Sequence, residues 1–119
     1  MSADAPRNVQ GDPLAVCSTD PMTGWTRQGL CVTGPQDSGV HVVCAEMTDA
    51  FLEYTAARGN DLSTPAPRHG FPGLAAGDRW CLCAARWAEA DRDGVAPKPV
   101  LEATHEAAFR FIDAQRLTR

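Results

Sequence analysis

The stretch His41–Gly59, HVVCAEMTDAFLEYTAARG, joins a strand pattern to a helix pattern. Its first eight residues, His41–Thr48, carry adjacent valines in a short apolar run, and branching at Cβ favours extended backbone on a pleated surface. Thr48 or Asp49 then offers a side-chain oxygen to the unpaired N–H groups that open a helix, and Phe51, Leu52 and Thr55 or Ala56 recur at helical spacing. Gly59 is the residue type on which such a helix closes. A strand that runs directly into a short helix makes α+β the expected class.

Further along, GDRWCLCAAR, Gly77–Arg86, supplies a second buried strand after a Gly77-Asp78 turn, with RWAEADRD fitting a short helix that ends at Gly94. VLEA, Val100–Ala103, reads as a third short strand behind the stiff connector VAPKP. Thr104 is the expected N-cap for HEAAF, and Asp113 for a last turn through Leu117. Residues 14–39 and 60–78 are crowded with turn signals and read as long ordered loops, while residues 1–13 show no apolar periodicity and read as a flexible lead-in. The expected architecture is a lead-in and one domain, 14–119: a small mixed or antiparallel sheet with two or three short helices on one side.

The 119 residues suit one modest core. A net charge of −4, spread along the chain, leaves no basic stripe for a phosphate backbone, which argues against nucleic-acid binding. No apolar run approaches the ~20 residues that cross a bilayer, and MSADAPRNVQGDP lacks the basic and apolar regions of a secretory signal, so a cytoplasmic protein without a membrane partner is expected. In that reducing compartment the five cysteines, Cys17, Cys31, Cys44, Cys81 and Cys83, are expected to be thiols, and their odd number leaves one unpaired in any disulfide scheme. The sequence carries no sign of oligomeric state.

If residues 79–85 are extended, Cys81 and Cys83 share a face, yet Cys-x-Cys is too tight to close on itself and lacks the spacing of a zinc knuckle or redox loop. Cys17, Cys31, Cys44, Cys81, Cys83, His41, His69 and His105 offer enough atoms for a zinc site assembled in space, but none form a paired knuckle. No metal ligand set and no cofactor is therefore assigned. Apolar flanks such as VVCAEM and WCLCAA suit inert packing, and Cys81 is assigned to the core. Cys83, near a helix start, and Cys17, in a turn-rich stretch, are the better reactive thiols, with His41, His105, Arg86 and Arg79 as helpers that would raise the thiolate fraction. His105, just inside a helix start, is expected to stay neutral. Asn60, Asp61, Ser63 and Thr64 in GNDLST either tie their own turn or rim a pocket that binds a small molecule together with Trp80. The leading expectation is a small enzyme with a thiol-containing pocket; the alternatives are a ligand-binding or interaction module with structural cysteines, and a zinc-type Cys/His site.

Long strings in the chain, PLAVCSTDPMTGW, GLCVTGPQDSGVHVVCAEMTDAFLEYTAARGNDLSTP, FPGLAAGDRWCLCAARWAEA and GVAPKPVLEATHEAA, resemble the small bacterial and plant proteins of the domain of unknown function 2237. The resemblance spans roughly residues 8–118, with small departures in the last dozen residues. It implies that the five cysteines, His41 and His105 are recurrent motif positions, and that CSTDPMTG, GNDLSTP and GDRWCLCA belong to one shared site or frame. It attaches no activity and no catalytic residue to the chain.

Overall fold

Two strands make the sheet. In the computed structural model, which describes residues 6–118 except the His69 side chain, β1 (His41–Glu46) pairs antiparallel with β2 (Arg79–Cys83). Val43 lies opposite Leu82, Cys44 opposite Cys81 and Ala45 opposite Trp80; an irregularity at Val42 then brings His41 opposite Cys83. Alternation sends Val43, Ala45, Trp80 and Leu82 into the main core, and Cys44 and Cys81 into a second cluster on the other face. Both faces are covered, which is why β1 reads as an unbroken apolar run.

The helix α1 (Asp49–Ala57) starts where the sequence places it, with the Phe51 N–H donating to Thr48 Oγ1 at 3.1 Å. Its buried face is Phe51, Leu52 and Thr55. Each of the two larger side chains gains about 1.5–3 kcal/mol from leaving water. The helix α2 (Ala84–Arg92) begins two residues before the expected Arg86, and the Ala84 N–H still donates across to Val40 O at 3.1 Å, just beyond the His41–Cys83 pair. Ala84, Trp87 and Ala90 then face the core, and Trp87 Nε1 donates to Pro97 O at 2.9 Å. A final turn, α3 (Ala114–Leu117), buries Leu117; Asp113 stands at its N-cap position, but its side chain makes no capping hydrogen bond.

Three sequence expectations need correction here. VLEA is not a strand: Pro99 makes a single bridge to Ala45, and Leu101–Ala103 coils into a 3₁₀ turn. The Glu46 N–H donates to Lys98 O and the Val100 N–H to Cys44 O, so the contact with β1 passes around Pro99 and stops where the chain coils at Leu101. Thr104 is not the cap of the following turn; it is fully buried, accepting the Cys44 N–H and donating to Val100 O. His105 takes the cap, its Nδ1 accepting the Ala107 N–H at 2.9 Å ahead of Glu106–Arg110. The lead-in is not loose over residues 6–13: Asn8 is buried, its Nδ2 donates to Glu102 O, and the Val9 N–H donates to Thr104 O. Its first five residues lie outside the described residues.

The expectation of five thiols is also corrected. Cys17 bonds to Cys44 and Cys31 to Cys81, with Cα atoms 5.7 and 5.3 Å apart, while Cys83 is free. Each disulfide fastens one point of the 14–39 loop to one strand. Among the described residues no helix is long and apolar enough to cross a membrane.

Candidate functional site

The fastened loop and the 60–78 loop meet over β2 and flank an open cavity of about 300 Å³. Trp80 forms one wall, with Phe71 edge-on to it at 5.2 Å between ring centroids and an interplanar angle of 63°. Arg27 lays its guanidinium 5.2 Å from the centre of the Trp80 ring, inside the range in which a cation is held by the negative face of an indole. Trp25, 43% exposed, stands at the mouth, and Leu62, Asp61 and Cys81 complete the apolar and polar edges. Gly24 makes this turn possible. Its φ is +98°, and a Cβ there would sit 2.3 Å from Leu30 O.

His41 reaches the cavity from the start of β1. Its Nδ1 lies 2.7 Å from Asp37 Oδ1, while Asp37 Oδ2 accepts the His41 backbone N–H at 2.9 Å and the Thr33 hydroxyl at 3.0 Å. The Asp37 side chain is only 1% exposed and the His41 side chain 39%. Burial alone would raise the Asp37 pKa; hydrogen bonds from the His41 backbone and ring and from Thr33 outweigh it and hold the carboxyl below its ordinary 3.8. An ionised carboxylate only accepts, so it fixes the proton on Nδ1 and leaves Nε2 as the acceptor. Two local features aim the ring. Val40 has φ +50°, a costly conformation for a β-branched residue. Gly39 lies beneath the imidazole, where a Cβ would come within 2.6 Å of Cε1.

Of the sequence-expected residues, His41, Asp61 and Trp80 are brought together at this cavity. Cys83 is not in its wall, but it stands across the ladder from His41, half-buried, at the first turn of α2. Cys17 offers no thiolate because it is bonded to Cys44, which corrects its place among the reactive thiols. His105 is spent on its cap, and burial holds its pKa below 6.5, in keeping with the neutral ring expected. Arg86 donates to Arg58 O and pairs with Glu89 on α2, away from the cavity. Asn60 Nδ2 donates to Thr55 Oγ1 at the end of α1, and Ser63 and Thr64 donate to Asp61. Those hydrogen bonds, the Thr64 hydroxyl first, hold the exposed Asp61 carboxyl below its ordinary value. The sequence reading did not single out Trp25, Arg27, Phe71 or Asp37. A detectable signal existed in DSGVH, where a short acid precedes a histidine across a glycine turn.

The family model described as an uncharacterized protein conserved in bacteria, DUF2237, matches residues 7–119, nearly the whole chain. The chain belongs to the DUF2237 family. Among curated proteins none matches it. Family membership thus accounts for the long shared strings without assigning DUF2237 a reaction, and the cavity, the Asp37–His41 pair and the cysteines carry the functional argument.

Proposed function

We propose that this DUF2237 protein is a small-molecule enzyme in which Cys83 is the nucleophile, His41 its base and Asp37 the group that orients His41. One observation carries the reading: a buried carboxylate holds Nδ1 of a half-exposed histidine, and that histidine is the register partner, across the ladder, of the one unbonded cysteine. Nucleophile, base and orienting acid are the three roles that thiolate chemistry requires. Nε2 would take the Sγ proton, and the nearby start of α2 favours the resulting negative charge. The aromatic walls suit a flat or apolar substrate body, and Arg27 suits an anionic group on it. The test is the rate of Cys83 alkylation by iodoacetamide across pH 5–9. With the other four cysteines bonded, a single thiol reacts. His41→Gln is expected to slow that reaction about tenfold or more at neutral pH, and Asp37→Asn to slow it less. A wild-type rate equal to that of a free thiol, unchanged by either substitution, overturns the proposal.

A second reading has one observation in its favour: Cys83 is absent from the cavity wall while two tryptophans and Arg27 are in it. A pure binding module predicts a ligand that quenches Trp25 and Trp80 fluorescence, is recovered unchanged, and binds Cys83→Ser as tightly as wild type.

A further inference from the structure

The two disulfides lie side by side in one buried cluster. Cys44 and Cys81 are direct cross-strand partners, and neither N–H enters the ladder there: the Cys44 N–H donates to Thr104 Oγ1 and the Cys81 N–H to Thr23 Oγ1, both threonines being fully buried. An opposed pair without mutual backbone bonds sets its side chains close together. Cys17 and Cys31 meet them from the 14–39 loop. The Sγ atoms of Cys17, Cys31 and Cys81 lie within 4.8 Å of one another, and Cys44 Sγ is bonded to that of Cys17. All four residues are buried, between 0% and 4% exposed, and Ala103 is the one other buried residue of the cluster.

We infer that, once both disulfides are reduced, Cys17, Cys31, Cys44 and Cys81 hold one Zn²⁺ ion. Tetrahedral Zn²⁺ with bonds of about 2.3 Å separates its sulfurs by about 3.8 Å. The non-bonded sulfurs of the trio therefore close by no more than about 1 Å, while Cys44, bonded to Cys17 but outside the trio, turns its Sγ inward to complete the set. Reduction takes two electrons and two protons per disulfide from one equivalent of a dithiol, which leaves as its cyclic disulfide. Metal binding then releases the four thiol protons to water and forms four Zn–S bonds. The ion restores the same four-point fastening of the loop to the strands that the disulfides gave. Ligands arriving singly, two from well-separated points of one loop and one from each strand, also explain why no knuckle spacing marks the sequence.

The experiment uses the full chain, reduced with excess dithiol under anaerobic conditions, freed of reductant and titrated with Co²⁺ as the spectroscopic probe, then with Zn²⁺. The expected result is one Co²⁺ per chain, with sulfur-to-metal charge-transfer absorption and tetrahedral d–d bands that Zn²⁺ bleaches. Cys83→Ser retains the spectrum, and Cys44→Ser and Cys81→Ser each lose it. Because those variants can fail by misfolding, a second measurement uses wild type alone: rapid alkylation in the presence of stoichiometric Zn²⁺ labels one cysteine, Cys83, whereas the metal-free reduced chain labels all five. Absence of the tetrahedral spectrum, a spectrum that depends on Cys83, or labelling of all five thiols with Zn²⁺ present overturns the inference.

Discussion

At the scale of single residues the site depends on two unusual positions. Gly24 has a positive φ and no room for a methyl group against Leu30 O. Gly24→Ala is expected to lose about 1–3 kcal/mol from backbone strain alone, read as a lower urea midpoint, with Trp25 and Arg27 displaced from the cavity. Asp37 gives a pH prediction. Its folded pKa lies below 3.8, so its contribution is complete above that value and is lost as pH falls through the folded pKa. Asp37→Asn should therefore lower stability at pH 7 by about 1–3 kcal/mol and remove part of the wild-type decline below pH 4 in urea titrations. Cavity-lining residues were legible where their chemistry marks them, as with His41, Asp61 and Trp80. Trp25 and Arg27 were not, because their loop is held in place by distant disulfides, and Phe71 was not, because it meets Trp80 only once its own loop has folded back over β2.

Among the elements, β1, α1 and β2 announce themselves by periodicity and caps, and Leu82 shows the weight each carries. It is 1% exposed at the centre of the main core, and Leu82→Ala is expected to cost about 2–5 kcal/mol, measured by denaturant unfolding. The turn after Thr104 was misread for a physical reason: a buried threonine can serve the backbone of a neighbouring strand, and then a histidine must cap instead. That histidine makes the next prediction. Burial keeps His105 neutral with its pKa depressed below 6.5, so its contribution is present above that pH and fades as pH falls through the depressed value. His105→Asn retains a capping acceptor without a titrating ring, and should flatten the stability profile just below pH 6.5 while changing stability little at pH 8. His105→Ala should lose the cap at both pH values, at about 1 kcal/mol.

For the molecule as a whole the question is what holds two long loops on a two-stranded sheet. A two-stranded ribbon is marginal by itself, and here the 14–39 loop is fixed at Cys17 and Cys31. No local pattern could disclose this pairing, since partners separated by 27 and 50 residues are brought together only by the completed fold. Disulfides are rare in reducing compartments, so the same four cysteines are expected to exchange their covalent links for thiols, or for the metal inferred above, wherever a reductant prevails. Under oxidising conditions the chain-entropy view assigns about 3.5 kcal/mol to the shorter loop and about 4 kcal/mol to the longer. Cys31→Ala/Cys81→Ala should therefore be at least as destabilising as Cys17→Ala/Cys44→Ala in urea unfolding. The two pairs differ more clearly in reach, because Cys81 lines the cavity and Cys44 does not. Loss of the Cys31–Cys81 link should alter Trp80 fluorescence and its quenching by aromatic ligands in the still-folded protein, whereas loss of Cys17–Cys44 should lower stability and leave that fluorescence unchanged. Equal fluorescence changes in both variants would mean that the cavity is held by the loop as a whole and not by the bond beneath it.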